Sequence, residues 1–164
     1  MACGSSREQA GTGKQIDPTT NNVRQRIPLA NPSFWNNIAV GSEAVWVTSS
    51  PTVRGEGIAL VDLHRIDPST GDITSAISLG DGASGLGPNE GAVSYSALTL
   101  DEGVVWTLVS FEGLLLTVGV EDLTVSHIAD GITCCSGVAP GMVVAADSVW
   151  ITAPGAVTRI SLKT

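Results

Sequence analysis

Apolar residues alternate with small or polar ones on both sides of a short break at three places in the chain. Aligned without gaps on their tryptophans, "NIAVGSEAVWV" (37–47), "ALTLDEGVVWT" (97–107) and "GMVVAADSVWI" (141–151) place Ile38, Val40, Val45 and Trp46 over Leu98, Leu100, Val105 and Trp106, and over Met142, Val144, Val149 and Trp150. Period two on either side of a tight break predicts a two-stranded hairpin in each copy. A second phrase repeats on its own register: "IDPTTNNVRQRIPL" (16–29) overlays "IDPSTGDITSAISL" (66–79) residue for residue. Here Asp67 can take the turn amides, Pro68 presets the first corner, and Gly71 supplies the left-handed residue that closes the loop. Asn21 stands in the Gly71 place, and Asn is the non-glycine residue that tolerates that conformation best. The stretch "AVTRISLKT" restarts the phrase, with Arg159 and Ile160 matching Arg65 and Ile66.

Naming the strands of one repeat a to d, the pattern predicts c and d within 14–29, a full set over 37–79, a less regular set over 97–129, and a, b and c over 141–163. That makes thirteen strands and no helix. Of the tryptophan spacings, 60 and 44 residues, the second falls within the usual length of a four-stranded repeat and the first is stretched by loops.

Composition narrows the picture without changing it. Of 164 residues 43% are hydrophobic and 15% charged, with 19 glycines and 8 prolines, which fits one globular domain broken by many turns. A formal charge of −8 repels phosphate backbones, so nucleic acid is not expected as a partner. No apolar run is long enough for a membrane-spanning helix. Residues 1–14 are small, polar and aperiodic, and read as a flexible tether ahead of a domain over 15–164.

The phrases "IAVGSEAVWVTSS" and "HRIDPSTGDITSAISLG" resemble the repeats of the bacterial YVTN and virginiamycin B lyase-like β-propellers, over nearly everything after Lys14. The resemblance implies an all-β fold of four-stranded antiparallel blades of the general WD40-like kind, set radially around a channel. Thirteen strands make only about three and a quarter blades where propellers have four to eight, so the expected ring is incomplete. Each end blade then bares an apolar face, which a longer parent chain, a homo-oligomer completing the ring, or a marginal partial arc would each handle differently.

In such a blade the a–b and c–d turns lie at one end, the b–c and d–a connections at the other. The long segments "ANPSFWNN", "SSPTVRGEG", "GDGASGLGPNEGAVSYS" and "ADGITCCSGVAP" all belong to the second end, as functional loops on a rigid scaffold do. Phe34, Trp35, Arg54, Glu56, Asp81, Asn89, Glu90 and Tyr95 are the side chains there best suited to contact a protein or small molecule. The recurring tryptophans are expected to pack between blades.

Cys134 and Cys135 are adjacent in one long segment. Their bond would be a strained vicinal disulfide, since neighbouring Cα atoms lie about 3.8 Å apart; two independent thiols are the other reading. Quinoprotein propellers contain such disulfides, but their tryptophan docking repeats are missing here, so no cofactor is carried over. No histidine or further cysteine stands at ligand spacing, so no metal is expected. His64 and His127 sit in predicted strands and read as structural. Streptogramin lyases of the resembling family use histidine, an acid and magnesium; no matching grouping is present, and no catalytic residue is assigned. The start "ACGSS" resembles that of a mature lipoprotein with a lipid anchor on Cys3, which implies an extracytoplasmic, membrane-anchored protein; an ordinary cysteine after the start codon is the alternative. The expectation is a non-catalytic extracytoplasmic binding or scaffold module. Its rivals are a fragment of a streptogramin lyase-like or other propeller enzyme and a degenerate piece without activity.

Overall fold

A computed structural model of the chain describes residues 12–28, 37–49, 60–81, 96–109, 113–132, 140–153 and 155–162. These form thirteen strands and no helix: β1 (Thr12–Ile16), β2 (Val23–Pro28), β3 (Ile38–Val40), β4 (Val45–Ser49), β5 (Leu60–Ile66), β6 (Ile73–Asp81), β7 (Ser96–Asp101), β8 (Val104–Val109), β9 (Leu114–Gly119), β10 (Val125–Ala129), β11 (Met142–Ala145), β12 (Ser148–Ala153) and β13 (Ala156–Ser161). The predicted strand count and order are both found. β1 begins inside the stretch read as a tether, two residues before Lys14, because Thr12 and Gly13 pair with Pro28 and Ile27.

The strands build four antiparallel sheets in chain order: β1–β2, β3 to β6, β7 to β10, and β11 to β13. We number them sheets 1 to 4. Every strand pairs with its sequence neighbour, so each sheet is a meander without crossovers. The hairpin breaks are where the alternation placed them. Between β7 and β8 the two turn residues Glu102 and Gly103 have φ of 46° and 77°, and between β11 and β12 Ala146 and Asp147 have 51° and 53°. Left-handed backbone at both central residues is the turn whose twist matches that of flanking strands.

The Asp-Pro loop has its predicted chemistry. Asp67 Oδ1 accepts from the Ser69 amide at 2.7 Å and the Ser69 hydroxyl at 2.6 Å, and the Gly71 amide donates to Asp67 O at 2.8 Å with Gly71 at φ 76°. The earlier copy repeats it through Asp17, the Thr19 amide at 2.8 Å and Asn21 at φ 56°. Sheet 3 makes the same bend from a dissimilar sequence. Gly119 stands in the Asp67 place and Leu123, at φ 59°, in the Gly71 place, and the Leu123 amide still donates to Gly119 O.

The sheets stack in chain order and are closest along their first strands, β3 beside β7 and β7 beside β11; the described residues form no closed ring. Two apolar clusters hold sheets 2, 3 and 4 together. One joins Trp46, Val61, Leu63 and Leu79 of sheet 2 to Val105, Leu116 and Val118 of sheet 3. The other joins Leu108 and Leu115, on the opposite face of sheet 3, to Val149 and Ile151 of sheet 4. Period-two alternation lets a middle sheet bury both its faces. Contact between sheets 2 and 3 reaches the turns: a Cβ on Gly41 would lie 2.6 Å from Leu100 Cδ2, so the position has no room for a side chain without displacing Leu100.

The three tryptophans share one register and face the same way along the stack. Trp46 is buried against sheet 3 with 1% exposure, Trp106 lies partly buried against sheet 4, and Trp150, on the far face of sheet 4, is 37% exposed. The cross-strand partner of Trp46 is Arg65, its guanidinium 6.0 Å from the ring; the partner of Trp150 is Arg159, at 5.5 Å. A cation above an indole face is attracted by the ring quadrupole. The expectation that all three tryptophans pack between sheets therefore holds for Trp46 and Trp106, while Trp150 packs only against its own sheet.

Candidate functional site

The end of the stack from which the long connections leave carries a polar cluster built from strand ends. Asn37 precedes β3, Thr48 and Ser49 close β4, Asp62 and His64 lie on β5, and Ser96 opens β7. Thr48 and Ser96 are both buried, and their hydroxyls meet at 2.7 Å across the junction of sheets 2 and 3. The Asn37 amide donates to Thr48 Oγ1 at 3.2 Å, and the Asn37 side-chain amide donates to Ser96 O. Thr48 returns its backbone amide to Asn37 O at 3.0 Å. The Asn37 carboxamide on the Ser96 carbonyl and the Thr48 hydroxyl on the Ser96 hydroxyl thus tie two sheets where the chain departs into its loops. Buried polar groups that are fully paired rigidify and specify their surroundings.

The same device recurs in sheet 4. There the Gly141 amide donates to Thr152 Oγ1 at 2.8 Å and the Thr152 amide donates to Gly141 O at 2.9 Å. Thr48 and Thr152 occupy one repeat position, two residues after the tryptophan.

On the opposite face of β4, Ser49 Oγ lies 2.8 Å from His64 Nε2, both residues buried, and His64 Nδ1 has no hydrogen-bond partner among the described residues. Burial holds the His64 imidazole below its ordinary pKa, and the Asp62 carboxylate on the same strand face only partly opposes that. A serine beside a neutral histidine is the first half of a nucleophile–base pair. Among the described residues no carboxylate orients Nδ1, and both side chains are buried. His127, the other histidine, is exposed on β10.

Of the side chains expected to contact a ligand, Phe34, Trp35, Arg54, Glu56, Asn89, Glu90 and Tyr95 lie outside the described residues. Asp81 is the last residue of β6, its Cα opposite that of Leu60, so its backbone sits at the loop-bearing end. Cys3, Cys134 and Cys135 also lie outside the described residues. Among the described residues no group of three or more His, Cys, Asp or Glu is placed to hold a metal.

Two clefts lie elsewhere. One of about 470 Å³ runs between the turns of sheets 3 and 4 and is bordered by Asp101, Glu102, Asp147 and Trp106. The other, of about 210 Å³, opens between sheets 1 and 2 beside Ile27, Ile38, Val45, Val47 and Ile66. Sequence reasoning found neither, nor the Asn37–Thr48–Ser96 cluster; its only signal is a hydroxyl recurring two residues after Trp46 and Trp150. No family model matches the chain, and no curated protein matches it.

Proposed function

We propose that the four sheets are consecutive blades of a β-propeller arc, of the kind the YVTN-type repeats resemble. Its loop-bearing end is a binding face for a protein or small-molecule partner. The observation that carries this reading is the hydrogen-bonded cluster of half-buried Asn37 with buried Thr48 and Ser96. It stiffens the sheet junction beneath the segments that leave β4 and enter β3 and β7, and binding surfaces built on rigid elements keep their geometry. The opposite end consists of short turns closed by their own backbone and Asx hydrogen bonds, which leaves little adaptable surface. Attachment outside the cytoplasm through a lipidated Cys3 belongs to the same proposal and is read by mass spectrometry of the N-terminal peptide after export.

The test is a thermal-shift screen with small molecules, followed by hydrogen-exchange mapping of each hit. Protection over 29–36, 50–59, 82–95 or 133–139, and loss of the thermal shift when 82–94 is replaced by a short glycine-serine bridge, is the expected result. Protection confined to the turns at the other end would count against the face, as would hits indifferent to the replacement.

A further inference from the structure

The repeat contains a knob and a socket, and the stack uses them twice. Trp46 belongs to the same apolar cluster as Leu98, Leu100 and Val105 of the next sheet. Trp106 belongs to that of Met142, Val144 and Val149. In the tryptophan alignment these two triplets are the same three positions, and in sheet 2 those positions are Ile38, Val40 and Val45. Sheet 2 therefore bears a socket of the same make, and it is open: Ile38 is 63% and Val40 69% exposed. Sheet 1 meets sheet 2 through Ile27 in the cluster of Val45, Val47 and Ile66, and the apolar cleft between the sheets is lined by Ile38, Val45 and Val47. At the other end of the stack the third knob, Trp150, meets no socket among the described residues and is 37% exposed.

We propose that a second copy of this chain fills that cleft: Trp150 and Val143 of each copy seat on Ile38, Val40 and Val45 of the other, closing two chains into one ring. The inference rests on the blade reading given above. Within one chain the contact is impossible, because sheet 3 stands between sheets 2 and 4. Between two chains the strands complement one another. Sheet 1 supplies only the third and fourth strands of a repeat and sheet 4 the first three, so each sheet 4 merges with a sheet 1 and the ring has six sheets, within the range of four to eight that such rings close with.

The merged sheet has one third strand too many, because Gln15 and Ile16 of β1 are the repeat equivalents of Arg159 and Ile160 of β13. β1 is the strand displaced in this arrangement: it pairs with β2 over five residues, whereas β13 pairs with β12 over six. The freed β2 then pairs with β13. The area suffices. A three-stranded face is roughly 14 Å by 20 Å, so two such contacts cover about 1,100 Å² counted on both sides, just above the roughly 1,000 Å² that a biological interface should clear.

The experiment is mass in solution of the full chain by light scattering, for the wild type, for Trp150→Ser and for Val40→Asp. Both positions are exposed in the single chain, so neither substitution should unfold it, which circular dichroism checks. Expected are twice the 16.8 kDa chain mass for the wild type and the single mass for each variant. An equimolar mixture of the two variants should regain a dimer, weaker than the wild type, because it rebuilds one of the two contacts. A monomeric wild type, larger open-ended species, or a dimer indifferent to both substitutions would overturn the proposal. Replacing 82–94 leaves this dimer intact, so the loop-face reading and this one fail separately.

Discussion

Ala146 is the residue at which the fold is most plainly at odds with its own chemistry. It holds φ 51° in the β11–β12 turn beside Asp147 at 53°, and an alanine Cβ in left-handed backbone costs roughly 1–2 kcal/mol. Asn takes that conformation far more readily, so Ala146→Asn should stabilise the protein by about 1 kcal/mol, read as a higher denaturant midpoint at unchanged slope. His64 carries a second prediction. Burial favours its neutral form, so the unfolded chain takes up a proton near pH 6.5 and the folded chain only at lower pH. Stability from this group is complete above pH 6.5 and falls as pH drops below it. The turn carboxylates of Asp17, Asp67 and Asp122 act in a separate window. Hydrogen bonds from following residues lower each pKa, so their contribution is present above about pH 4 and lost on further acidification. Replacing His64 by Gln should flatten the first decline and leave the second, as followed by denaturant midpoints between pH 7 and pH 3.

At the scale of strands and sheets, one tryptophan register yields different energies because the neighbours differ. Trp46→Ala removes a fully buried ring between two sheets and should cost about 3–5 kcal/mol. Trp150→Ala, measured on the single chain in dilute solution, loses chiefly its contact with Arg159 and should cost about 1 kcal/mol. Equal costs in the two unfolding curves would contradict the burial on which the stacking rests. Alternation made these hairpins legible, since period two marks both the strand and the face that each side chain takes. The Asp67 and Asp17 loops were legible for a similar reason, their turn residues being the ones the geometry demands. The third loop was not: Leu123 adopts the left-handed bend that Gly71 adopts and remains packed against the sheet 2–3 cluster, so packing there overrides the local preference that a sequence shows. The Thr48–Ser96 bond was hidden for another reason. Its partners are 48 residues apart, and only the stacking of two sheets brings them together.

Across the whole molecule, stability should follow position in the stack. Sheet 3 buries both faces, one against sheet 2 through a cluster of ten buried residues and one against sheet 4 through a cluster of five. Sheet 1 meets sheet 2 through a cluster with only two buried members, Val47 and Ile66, and through polar contacts such as Gln15 Nε2 donating to Pro68 O at 3.3 Å. Where each repeat touches only its neighbours, stability is a sum of repeat and interface contributions, and end repeats that bury one face open first. Amides of β8 and β9 should therefore exchange slowest and approach the rate set by global unfolding. Those of β1 should exchange fastest among the strands, with β2, β11 and β13 between the two. Glycine at Leu108, which faces sheet 4, should raise exchange in sheet 4 more than in sheet 2, because it weakens one side of the middle sheet. Uniform protection across all thirteen strands would mean that the sheets unfold as one cooperative unit, and the nearest-neighbour account of this fold would be wrong.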